Sequence, residues 1–155
     1  MTILRVTDTA GSALSFDLRD VLALLAPRSL EAAWSLSAVD AGFPSFDATG
    51  PGGERLEAMA QTGEPVSGKA LMAAAQDTVQ VIWGAFTAYL PAIHGRQWVI
   101  IRAIDSSFYE IITDDREVVS KIEARFNAVN FHEEIWQAAP RDPEVAHCYG
   151  LEPSR

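Results

Sequence analysis

Three β-prone runs follow one another with no helix between them, and nothing else in the chain limits the fold so tightly. Residues 78–90, 97–105 and 107–113 are rich in Val, Ile, Thr, Tyr, Phe and Trp. Residues 91–96 join the first run to the second, and Asp105, Ser106 and Ser107 turn the second into the third. Links this short join antiparallel strands, because a parallel pair needs a crossover of a dozen or more residues. A three-strand meander over about residues 78–113 therefore excludes a doubly wound parallel sheet. It predicts an α+β fold, a mostly antiparallel sheet with helices packed on one face.

The rest of the chain supplies those helices. Ser15 is placed to cap a first helix, with Asp17 and Asp20 in its opening turns and Leu18, Val21, Leu22 and Leu25 as its apolar stripe; Pro27 ends it. Ser67 caps a second helix carrying Leu71, Met72 and Ala75. Asp114 and Glu117 stand at capping-box spacing before a third, whose stripe is Val118, Val119, Ile122 and Phe126. Residues 2–7 and 32–39 read as further strands, the latter by alternation of Trp34, Leu36 and Ala38 with Ala33, Ser35 and Ser37. Residues 41–66 hold Pro44, Gly50, Pro51, Gly52, Gly53 and Gly63 and read as a long Gly/Pro-rich loop, with one short helical stretch at 54–61. Phe131 and Trp136 predict that part of the chain beyond Asn127 docks. The expected domain spans residues 1–139, and residues 140–155 read as a loosely ordered tail.

Alternation then assigns faces. With a three-residue turn at Asp105, Ile104 opposes Phe108, Arg102 opposes Glu110 and Ile100 opposes Ile112. Apolar meets apolar and opposite charges meet, which favours this register over a two-residue turn. The turn lacks the glycine that such loops ordinarily place at their left-handed position. Val99, Ile101, Ala103, Tyr109 and Ile111 form an uncharged face for the helices. Trp98, Ile100, Arg102, Ile104, Phe108, Glu110 and Ile112 fall on the other. A sheet face this apolar is seldom left bare, so the chain's own loop or tail, a second copy or a partner should cover it. Trp98 and Arg102 are its expected anchors, since both residue types are enriched at binding hot spots. Phe108 and Glu110 stand across the hairpin from them, Asp105 at its turn and His94 in the preceding link.

Composition narrows the classes. Net charge is −9, without a basic run or stripe, which argues against nucleic acid, whose affinity depends on Lys and Arg displacing counterions. No apolar stretch is long enough to span a bilayer, and the first eleven residues do not read as a secretory leader. With one cysteine, Cys148, no intrachain disulfide is possible. A reducing compartment such as a bacterial cytoplasm is expected.

Catalytic signatures are missing too. The glycines of TGPGGE, from Thr49, lack the lysine of a phosphate loop. His132-Glu133-Glu134 lacks the second histidine of a zinc-protease helix and reads as the start of a short helix ending near Trp136. His147 and Cys148 are adjacent and point apart in extended chain. No spacing implies a metal or a cofactor. His94 would act as an acid or base only if the fold brought Asp105 or Glu110 beside it.

The sequence thus points to a non-enzymatic protein-interaction domain, of the kind that neutralises a basic toxin or enzyme as an inhibitor or immunity protein does. Two other readings stay open. One is a small-molecule binder or enzyme with a pocket between the open face and residues 41–66. The other is a homodimer closed through that face.

Overall fold

The structure, a computed structural model, describes residues 1–41 and 43–132. The chain enters as β1 (Thr2–Val6), makes a small hairpin of β2 (Thr9–Ala10) and β3 (Ala13–Leu14), and continues into α1 (Leu18–Leu24) and α2 (Arg28–Glu31). Then come β4 (Ala33–Ser37), β5 (Asp47–Thr49), α3 (Pro51–Thr62), β6 (Val66–Ser67) and α4 (Gly68–Gln76). The meander is β7 (Gln80–Leu90), β8 (Arg96–Ile104) and β9 (Phe108–Thr113), followed by α5 (Arg116–Arg125) and β10 (Val129–His132).

The sheet has eight strands in the order β10-β1-β9-β8-β7-β4-β6, with β5 beside β7, and all its pairings are antiparallel. Helices pack on one face, as the alternation of the meander predicts. From the sheet, Leu4, Val6, Trp34, Leu36, Phe86, Val99, Ile101, Tyr109 and Ile111 enter one core with Leu18, Val21, Leu22, Leu56, Leu71, Val118 and Ile122 from the helices.

Helix starts shift by a residue or two from the expected caps. Asp17, not Ser15, caps α1 and forms a capping box with Asp20. Asp115, not Asp114, caps α5, its carboxylate accepting the Glu117 N–H at 2.8 Å. Ser67 caps α4 as expected, accepting the Ala70 N–H. In each case the residue whose side chain reaches back over the first turn takes the cap.

Residues 41–66 are not a loop throughout. They hold β5 and the twelve-residue α3, and the glycines of that segment are needed for packing. A methyl on Gly52 would overlap the Ala74 carbonyl oxygen, so α3 meets α4 more closely than any side chain permits. The Phe46 ring lies against Gly84 and 5.5 Å from the Phe86 ring. The segment therefore adds β5 to the sheet and α3 to the helical layer. Similarly, His132 ends a strand, not a helix start: β10 pairs with β1, opposing Ile3 to His132. The Asp8 carboxylate secures the approach to β10 by accepting the N–H groups of Asn127 and Ala128. Trp136, His147, Cys148 and the expected tail lie outside the described residues.

Candidate functional site

The Asp105 hairpin has the three-residue turn. Ile104 opposes Phe108, Arg102 opposes Glu110 and Ile100 opposes Ile112. Without glycine, Asp105 and Ser106 both take left-handed backbone, with φ of 52° and 59°, a conformation costing an L-residue about 1–2 kcal/mol. Three hydrogen bonds hold it: the Ser107 N–H to the Ile104 carbonyl at 2.8 Å, the Ser106 N–H to the Ile82 carbonyl at 3.1 Å and the Ser107 hydroxyl to the Asp105 carbonyl at 3.1 Å. Asp105 itself stays exposed at the tip.

Register across six strands then draws a transverse row on the face that carries no helix among the described residues. Asn130, Arg5, Glu110, Arg102, Ala85 and Ser37 oppose one another in turn. At its centre, Glu110 stands between two guanidiniums. Arg5 Nη2 donates to Glu110 Oε2 at 3.0 Å, and Arg102 Nη1 lies 3.5 Å from Glu110 Oε1. The carboxylate side chain is only 13% exposed, and the arginines are 33% and 27% exposed. Arg102 also reaches to 3.8 Å of Asp40, which is largely in solvent. The Arg5 guanidinium lies over Phe108, 4.2 Å from the ring centroid. The neighbouring row is aliphatic at its centre, Ile3, Ile112 and Ile100 in succession. Trp83 joins this face, one residue from Gly84, which pairs with Ala103 on the helical side.

Of the expected site residues, Arg102, Phe108 and Glu110 are brought together, and Arg5 joins them. Its partnership is invisible along the chain, because it depends on β1 pairing with β9 across more than a hundred residues. Trp98 is a correction. The β7–β8 register slips between Ala88 and Tyr89, which oppose Val99 and Gln97, so Trp98 has no partner and sits in a bulge. The extra residue breaks the alternation and turns the indole to the helical side. There it is 6% exposed within the core, and its Nε1–H donates to Asp115 Oδ2 at 2.9 Å. With Leu25, Pro27, Arg28 and Val118 it lines a cavity of about 140 Å³. Burial pushes the Asp115 carboxyl up. The hydrogen bonds from Trp98 and the Glu117 N–H and the charge of Arg28 outweigh this and hold it below its ordinary value.

His94 and Asp105 do not meet. They sit in the links at opposite ends of the nine-residue β8, about 30 Å apart at roughly 3.3 Å per residue. His94 is exposed with φ of 61°, and neither Asp105 nor Glu110 can pair with it. Of residues 41–66, β5 joins the sheet beside β7 and α3 packs with the helices through Leu56.

A second polar cluster escaped the sequence reading. Tyr109, buried in the core, donates its O–H to Asp17 Oδ1 at 2.6 Å. This pair lies beside a cleft of about 310 Å³ lined by Leu14, Phe16, Arg19, Asp20, Val79 and Gln80. Burial raises the Asp17 carboxyl above its ordinary value, although the hydrogen bonds from Tyr109 and Leu18 and the nearby Arg19 oppose the rise. Burial, together with the Asp17 charge, holds the phenol well above its own. The carboxylate already accepts a phenol O–H and the Leu18 N–H while capping α1, so it acts as a junction between helix and sheet rather than a free base. Among the described residues no three His, Cys, Asp or Glu converge to hold a metal, and no helix is long and apolar enough to cross a membrane.

Compared with protein-family models, with curated proteins and with solved structures, the chain matches none.

Proposed function

We propose that this chain is a protein-interaction domain whose helix-free sheet face receives its partner. The observation that supports it is the Arg5–Glu110–Arg102 row, set in a field of isoleucines on the face opposite the helices. The half-buried Ile3, Ile100, Ile104 and Phe108 give the face area to bury, and the ionic row gives it orientation, since charged groups at an interface fix register more than they add affinity. Among the described residues, His94 is held apart from Asp105 and Glu110, so the acid–base pairing considered for it gains no comparable support.

Displayed peptides selected on the immobilised full chain test this reading. Ile100→Asp places a charge in the aliphatic row; Val79→Asp places one at the exposed Val79, by the Asp17 cleft. Enrichment should fall at least about tenfold on Ile100→Asp and persist on Val79→Asp. The opposite pattern would move the interaction to the cleft and overturn the proposal.

A further inference from the structure

The chain leaves the described residues at one end of the aliphatic row. His132 opposes Ile3, Ile3 opposes Ile112, and Ile112 opposes Ile100, so these four positions point to one side of the sheet. β10 is an edge strand, and His132 is its last residue and exposed. Ile3 and Ile100 are only half-buried. On the helical side their neighbours Leu4, Ile101 and Ile111 are already at 0% exposure. A segment continuing from His132 therefore finds uncovered aliphatic surface on the free face.

Twenty-three residues follow His132, and Ile135, Trp136, Ala138 and Ala139 are among the first seven. Paired strands lie about 4.8 Å apart, and extended chain advances about 3.3 Å per residue. Ile135 and Trp136, three and four residues on, thus reach about 10–13 Å from His132, over Ile112 and to the edge of Ile100. Tethering holds such a segment at a local concentration of about millimolar, an advantage that a separate chain of like composition lacks. An indole adds the large apolar area that the row leaves open.

We infer that residues 133–139 lie across the aliphatic row of their own chain, with Ile135 and Trp136 over Ile3, Ile112 and Ile100, and that a partner must displace them. The displacement rests on the reading of that face as the interaction surface; the cover does not.

A nitroxide tests the cover. Cys148 is the chain's single cysteine, so Cys148→Ser with Ala138→Cys puts one label beside Trp136 in the full chain. Among isotope-labelled isoleucine methyls, Ile3, Ile100 and Ile112 should lose intensity, while Ile101, Ile111 and Ile122 in the core keep theirs, because nitroxide broadening falls with the sixth power of distance. Trp136→Ser should restore the lost intensity. Loss at neither set, greater loss at Ile122, or loss that persists with Trp136→Ser overturns the cover. Equal loss when nitroxide and isotope sit on different chains of a mixture assigns the contact to a second copy and overturns it too. The displacement is read from the displayed peptides that depend on the face. They should bind Trp136→Ser about tenfold more tightly than the parent, the gain when the open fraction rises from about one tenth to near one. Equal affinities overturn the displacement. Methyl losses without face-dependent peptides in either chain make the cover permanent and overturn both the displacement and the reading of the face as an interaction surface.

Discussion

Replacing Glu110 by glutamine keeps the shape of the ionic row and removes its only central negative charge. The carboxylate lies 3.0 Å from one guanidinium nitrogen and 3.5 Å from another. At an effective dielectric of about 20, each contact carries about 5 kcal/mol of gross Coulomb attraction. Most of that is offset by the desolvation of a side chain that is 13% exposed. Breaking a fully buried pair costs about 3–5 kcal/mol, and exposed pairs are worth about 0.2–1 kcal/mol. Arg5 and Arg102 stand between these limits, since water reaches about a third of each and takes over part of the lost partner's role. Glu110→Gln should therefore destabilise by about 2–3 kcal/mol. For a chain of this size that lowers the melting midpoint by about 4–12 °C. Urea unfolding followed by circular dichroism measures the loss, and raising the salt to about 1 M should shrink it, because the partly exposed arginines are screened. The triple change Arg5→Met, Glu110→Leu, Arg102→Met removes all three charges together and should cost less than about 1 kcal/mol. A loss below about 0.5 kcal/mol for Glu110→Gln, or a triple variant less stable than the single one, would refute the view that the arginines are held by this carboxylate.

Four other outcomes follow from the same geometry. Trp98→Phe removes the indole donor to Asp115 and should cost about 1–3 kcal/mol in urea, with the Asp115 carboxyl rising towards its ordinary value in a carbon-detected NMR titration. Asp115→Asn should show its penalty at neutral pH and lose it in acid. The folded carboxyl titrates below its ordinary 3.8, so its stabilisation is complete above the unfolded value and drains away as pH falls through the folded one. Asp17→Asn should show the reverse sign: burial raises this carboxyl, so the parent's relative advantage grows as pH falls to 3.8 and below. Gly68→Ala should destabilise by about 1–3 kcal/mol or more in the same unfolding assay, because a methyl there overlaps the Ser29 carbonyl where α2 and α4 meet.

The meander was legible because its information is local. Strand composition, two short links and the opposition of Arg102 to Glu110 all lie within about 35 residues, and the register follows from pairing like with like. Of the stretch from Asp47 to Thr62, the helix over 54–61 was legible, whereas β5 and the first turn of α3 were not, for the opposite reason. Its glycines and proline score as loop formers, whereas here Pro51 sits at the first turn of α3, where a missing N–H costs nothing. Gly52 is small because α4 passes directly beside it. Tertiary proximity overrode propensity, and no window of sequence contains both partners.

The Trp98 bulge shows how one residue changes the meaning of a face. Alternation places Trp98 with Arg102, since both positions are even within β8. A single unpaired residue between Val99 and Gln97 moves the indole through the sheet and leaves Arg102 where it was. The free face thereby loses its largest expected anchor and gains its chemistry from elsewhere. Arg5 arrives from β1, which β9 aligns so that Arg5 opposes Glu110 on the side away from Arg102. A hairpin pair becomes a row in which Arg5 and Arg102 flank Glu110, with Asp40 3.8 Å from Arg102. The place of Arg5 in this row is therefore a consequence of strand order, which local sequence does not carry.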